Sequence, residues 1–150
     1  MRYDQSRFAA AALFGLASAA IIGFSGAVRA ESPWPANARV YFIAPANGET
    51  VKGKVTVKFG LSGMGVAPAG VEKANTGHHH LLIDTDAPTG EKLNQPLPVE
   101  AQVRHFGGGQ TETVLELPPG RHTLQLIVGD ANHIPHAPPL ESDKIVIEVK

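Results

Sequence analysis

Hydrophobic and polar residues alternate strictly over residues 54–59. Val55, Val57 and Phe59 point one way, and Lys54, Thr56 and Lys58 the other. That period of two marks a strand with one buried and one wet face. Related patterns recur along the chain. Residues 39–43 form an apolar run of strand formers, followed by the tight-turn signal Asn47-Gly48. Further strands are predicted at 80–85, at 99–106 and at 111–117, the last with Thr113, Leu115 and Leu117 on one face. Pro118-Pro119-Gly120 turns the chain into a sixth strand, where His122, Leu124, Leu126 and Val128 share a face. Residues 144–149 close the domain with Ile145, Ile147 and Val149 aligned. No window of eleven or more residues after residue 30 carries helical spacing. The pattern predicts an all-β fold, an immunoglobulin-like sandwich of about seven antiparallel strands. Two long irregular stretches, 60–77 and 129–142, interrupt it, and loops of that length in a compact domain tend to be functional.

The first thirty residues stand outside this pattern. Arg2 and Arg7 precede an uncharged, alanine-rich run over 8–28, and Val28-Arg29-Ala30 supplies the small residues that a signal peptidase cuts after. Residues 1–30 are therefore expected to be a signal peptide, 31–37 a Pro-rich approach, and 38–150 a single domain. Without a twin-arginine pair, the general secretion route and a periplasmic location follow as expectations. The leader holds three arginines and one aspartate, so setting it aside moves the net charge from −1 to −3. A mildly acidic domain lacks the footprint for gripping phosphate backbones, which disfavours nucleic acid as a partner. The absence of cysteine excludes disulfides, thiolate metal sites and a thiol nucleophile. No second long apolar run follows the leader, so no membrane contact is expected once it is removed.

Histidine is the residue type that needs explaining. All seven lie beyond the leader, as His78-His79-His80, His105, His122, and His133 with His136. Imidazole is the commonest protein metal ligand. With the strands as predicted, His78, His79, His80, His105, His133 and His136 fall at one end of a sandwich and His122 at the other. Alternation puts His79 with Leu81 and Ile83, and His78 with His80, Leu82 and Asp84. One ion can therefore draw on His78 and His80, or on His79 alone, with help from His105, His133 or His136. Copper(II) or zinc would take three or four such nitrogens. Asp84 and Glu112 are candidates to orient an imidazole through its second nitrogen. Binding is expected to weaken below about pH 6, where free imidazole protonates. His122, among core positions, reads as a structural histidine bonded to backbone. Gly107-Gly108-Gly109 lacks the lysine and following helix of a phosphate loop, and better suits close backbone approach beside His105. Ser62 and Ser142 have no nucleophile-elbow context and no carboxylate pair is placed by the pattern, so no enzyme activity is expected.

Several motifs together are characteristic. Residues 41–51 (YFIAPANGETV), 77–84 (GHHHLLID), 105–112 (HFGGGQTE) and 120–126 (GRHTLQL), continuing through Gly129-Asp130, His133, Pro135 and His136, resemble the domain-of-unknown-function 4399 family over about residues 38–150. The resemblance implies an exported bacterial domain with the histidine motifs as hallmark positions, and implies no activity. Two functions compete on this reading. One is a periplasmic metal-binding protein. The other is a non-catalytic interaction or structural module whose histidines form a hydrogen-bonded cluster, with a protein or glycan partner at loops 60–77 and 129–142.

Overall fold

The computed structural model describes residues 33–150; the expected leader lies outside the described residues. The described chain is all-β, with nine strands and one 3-10 helix, Gly90–Asn94. Strands β1 (Arg39–Ala44), β3 (Val55–Ser62) and β7 (Glu112–Leu115) form a three-stranded antiparallel sheet in the order β1-β3-β7. A larger sheet runs β2 (Thr50–Val51), β9 (Ile145–Val149), β8 (Gly120–Gly129), β5 (Thr76–Ile83) and β4 (Gly65–Val66), with β6 (Val103–His105) also paired to β5. The alternating positions read from the sequence meet in one core shared by both sheets. It contains Val55, Val57, Phe59 and Leu115 from the small sheet, and Leu81, Ile83, Leu124, Leu126, Val128, Ile145, Ile147 and Val149 from the large one. Burying each such side chain is worth about 1.5–3 kcal/mol.

The structure departs from the predicted seven antiparallel strands in four ways. Two pairings are parallel, β2 with β9 and β4 with β5. Both involve two-residue strands, too short for alternation to register. The Asn47-Gly48 turn does not close a hairpin; it carries the chain from β1 into β2, on the other sheet, and Asn47 Oδ1 accepts the Val146 N–H at 2.8 Å. The strand predicted at 99–106 shrinks to Val103–His105, preceded by a turn in which the Val103 N–H donates to the Glu100 carbonyl at 3.0 Å.

The fourth difference positions the site. The strand predicted at 80–85 begins earlier and spans Thr76–Ile83, so the whole histidine trio lies inside it. From Gly77 onward every residue of β5 is buried, on both faces. One face meets the shared core. The opposite face carries Leu82, which packs with Ile127, Leu97 and Val103 beneath the segment that follows β5. That segment supplies a second lid-like layer through the Leu93 and Leu97 side chains, both buried. The chain therefore covers β5 on both sides, and the histidines of β5 are withdrawn from solvent whichever way they point.

Candidate metal site

Successive residues of β5 point to opposite faces, which separates the trio as the period of two requires. His79 turns into the shared core, where its ring lies 4.8 Å from that of Phe59. His78 and His80 face the other way, with ring centroids 4.8 Å apart. His105 sits directly across from His80 in the β5–β6 pairing, 5.0 Å from His80 in a stacked arrangement and 5.0 Å from His78. One ligand nitrogen from each of His78, His80 and His105 lies within 4.8 Å of the other two. His133 arrives from the loop after β8, with its ring 5.0 Å from His78, 4.6 Å from His105 and 5.9 Å from His80.

Two glycines make room for this cluster. Gly129 pairs across the sheet with His78. A Cβ there would stand 2.9 Å from His80 Cε1 and 3.1 Å from the His133 backbone. At Gly107 a Cβ would fall 2.3 Å from His105 Cε1 and 2.7 Å from its Nε2. No side chain fits at either position without displacing an imidazole. The close-approach role read for the glycine loop is thus met at Gly107, whose backbone the His105 ring overlies.

The loop bearing His133 is built from its own hydrogen bonds. Asp130 Oδ1 accepts the N–H groups of Asn132 at 2.8 Å and Ile134 at 2.9 Å, and the His133 N–H donates to the Asp130 carbonyl at 2.9 Å. The Leu97 N–H donates to the His133 carbonyl at 3.0 Å. These contacts hold His133 at φ 69°, a left-handed conformation uncommon outside glycine.

The electrostatics follow from burial. His78 and His80 are 0% and 1% exposed. Both ring nitrogens of His78, both of His79 and Nδ1 of His80 are buried without a hydrogen-bond partner among the described residues. An unsatisfied buried polar atom costs about 1–3 kcal/mol, so each such atom calls for a ligand or another account. Desolvation, reinforced by repulsion from His105 and His133, lowers the pKa of His78 to about 4, with Asp130 opposing. Desolvation and the neighbouring imidazoles, His78 first, lower His80 to about 3. Burial lowers His79 to about 4, and the Gly60 backbone opposes that shift without meeting hydrogen-bond geometry. His105, exposed at the rim, is lowered by desolvation and by His133. All four imidazoles are therefore neutral near pH 7, the state in which imidazole binds metal.

Not every residue singled out in the sequence joins the cluster. His79 is directed into the core. His136 pairs with Asp130, Nε2 to Oδ2 at 2.8 Å, and lies edge-on to Trp34 at 5.6 Å. Burial alone would raise the Asp130 carboxyl, but hydrogen bonds from Ile134, His136 and Asn132 bring it below its ordinary value. The expected orienting role of Asp84 and Glu112 is not seen. Asp84 belongs to His122, with Oδ2 2.7 Å from Nδ1 and Oδ1 accepting the Thr123 N–H at 2.8 Å. Glu112 faces Lys58 at 3.8 Å on the other sheet. His122 is buried among core positions, and its Nε2 lies 2.8 Å from the Pro118 carbonyl, as a structural histidine should be. Asp130 was picked out only as part of the family-like motif; its role depends on a loop conformation that no periodicity encodes.

The donor set could hold a metal ion. Imidazoles of His78, His80 and His105, on two paired strands, come together where buried nitrogens lack partners, and such a cluster could hold an ion. Met64, the single methionine after the leader, packs against the core instead.

Comparison with known proteins adds little about activity. No curated protein matches the chain. Among solved structures, the endo-beta-1,4-mannanase from Thermotoga petrophila is similar over 75% of this chain at 19% identity, with a TM-score of 0.44. This chain spans 20% of the mannanase chain, and a likeness that distant informs neither fold nor function. The family model described as a domain of unknown function, DUF4399, matches residues 57–150, a stretch that includes all seven histidines; the chain belongs to that family.

Proposed function

We propose that this protein is an exported, periplasmic metal-binding protein that holds one copper(II) or zinc ion at His78, His80 and His105, on an immunoglobulin-like sandwich. The reading rests above all on buried, partnerless nitrogens of His78 and His80 lying beside His105. A hydrogen-bonded histidine cluster, the competing account, would supply those nitrogens with partners. The ligand set contains no nucleophile or carboxylate poised for proton transfer, which favours binding over catalysis as its role. Delivery to the periplasm rests on the leader grammar of residues 1–30.

The test is a titration of the purified protein with zinc and with copper(II), following bound metal per chain and melting temperature. A ligand at 100 times its dissociation constant adds about 2.7 kcal/mol to stability. For a domain near this size that is about 10 °C. One bound equivalent with such a shift, abolished in His80→Ala, is the expected result. No stoichiometric binding of either metal would reduce the cluster to architecture.

A second reading has one observation in its favour. Tyr41, Ile43 and Val114 are exposed on the outer side of the small sheet, at 45%, 62% and 56%. An interaction module would use such a face, and substitutions there would then matter where histidine substitutions do not.

A further inference from the structure

The arrangement of the rings says more than that a metal binds. We infer that His133 is a fourth ligand and that the site imposes a tetrahedral, four-imidazole geometry, which selects zinc(II) over the planar coordination copper(II) prefers. This inference rests on the metal-site reading above.

Ring spacing distinguishes the two geometries. With metal–nitrogen bonds of about 2.0 Å, four imidazoles placed tetrahedrally have all six ring-centroid separations near ~5.2 Å. In a square plane, four separations would be ~4.5 Å and two, between opposite ligands, ~6.4 Å. The six observed separations run from 4.6 to 5.9 Å. The longest, His80–His133 at 5.9 Å, would have to be one opposite pair of a square. The other opposite pair would then be His78–His105, which is only 5.0 Å. No assignment of opposite pairs rescues the plane, whereas all six values scatter about the tetrahedral one.

Movement toward a plane is resisted by the surroundings. His78 and His80 project from one strand two residues apart, and His105 is held opposite His80 by the β5–β6 pairing. Gly129 leaves a space bounded by His80 on one side and the His133 backbone on the other. The His133 turn is braced by Asp130 and by the Leu97 N–H. The nitrogens of His78, His80 and His105 lie within 4.8 Å of one another and His133 stands outside that group, so the rings must turn inward to the spacing of about 3.3 Å that bonds of about 2.0 Å require. Restraint of that movement by strand and loop, rather than raw affinity, is how a protein departs from the ordinary preference for copper(II) among divalent ions. The donors are all imidazole nitrogens, with neither thiolate nor thioether in the set to favour copper(I). Four protein ligands also close the coordination sphere, as in structural or storage sites, and leave no open position for a reacting water.

Cobalt(II) is the probe, because its visible absorption is intense in a tetrahedral site and weak in a six-coordinate one. The purified protein should take up one equivalent of cobalt(II) with intense visible bands, and one equivalent of zinc should bleach them. His133→Ala should weaken zinc binding at least tenfold, with an unchanged circular dichroism spectrum showing that the fold survives. A weak, six-coordinate cobalt spectrum, or copper(II) held with a square-planar spin-resonance signature that zinc fails to displace, would overturn the tetrahedral assignment while leaving metal binding intact. Unchanged zinc affinity in a folded His133→Ala would remove the fourth ligand. No binding of cobalt, zinc or copper would overturn the metal site itself.

Discussion

Gly107→Ala isolates the metal site from the rest of the fold. The new methyl would stand 2.3 Å from His105 Cε1 and 2.7 Å from Nε2, far inside contact distance, so the imidazole must leave its place over the loop. Gly107 does not occupy the left-handed region, so alanine brings no backbone strain there. His105 is exposed and can swing into solvent, so metal-free stability should change by less than about 1 kcal/mol. The metal should respond far more strongly. Disturbing only the support of a ligand commonly costs 10–100-fold in affinity, and here the ligand itself is moved. At zinc set to 100 times the unsubstituted protein's dissociation constant, stabilisation by metal is about 2.7 kcal/mol. A 100-fold loss leaves about 0.4 kcal/mol, so the melting shift should drop from about 10 °C to about 1–2 °C. Gly108→Ala is the matched control, because its Cβ would meet only the movable Gln110 side chain, at 2.8 Å. Differential scanning fluorimetry with and without zinc reads both variants. A Gly107→Ala protein that keeps the full zinc shift would refute the reasoning that His105 binds metal from this position.

Four further outcomes are expected. His79→Leu should leave zinc affinity unchanged and raise metal-free stability by about 1 kcal/mol, since it removes two buried, partnerless nitrogens beside Phe59; loss of zinc binding would show that the trio acts as a unit. His78, His79 and His80 have folded-state pKa values of about 4, 4 and 3, so between pH 6.5 and 4 the unfolded chain binds protons that the folded chain does not. Metal-free stability should therefore fall on acidification, by up to about 2 kcal/mol per group at pH 5 in chemical denaturation. For the same reason zinc should survive to nearer pH 4–5 than the pH 6 expected from free imidazole, and release complete by pH 6 would contradict the burial of its ligands. His122 has the opposite sign: its hydrogen bond to Asp84 raises its pKa, so its contribution is full below about pH 6.5 and fades as pH rises through the folded value. His122→Gln should thus destabilise by about 1–2 kcal/mol at pH 6 and by less at pH 9, with zinc binding untouched.

The parts of this molecule that alternation encodes were legible in its sequence. Val55, Val57 and Phe59, and Leu124, Leu126 and Val128, are core positions as their spacing predicts. The same rule separated His79 from His78 and His80, because a strand has only two faces. His105 was legible as a strand-end histidine, and the pairing with β5 then sets it opposite His80. What lay beyond the sequence was burial of both faces of β5. Nothing in a run of three histidines announces full burial, which comes from the Phe59 side of the core for His79 and from His105 and His133 for His78 and His80. The Asp130 turn was equally hidden, since it depends on His133 adopting φ 69°. Asp84 shows the converse error: it shares the cluster's face by parity, yet β5 ends at Ile83, and the next residue takes φ 54° and turns to His122.

The central claim is that an ion sits among four imidazoles, and anomalous scattering from crystals of the zinc-loaded protein tests it most directly. Data collected on either side of the zinc absorption edge should show one peak, about 2.0–2.1 Å from a nitrogen of each of His78, His80, His105 and His133. A peak beside Asp130 and His136 instead, or none at the cluster in crystals shown to contain zinc, would contradict the account.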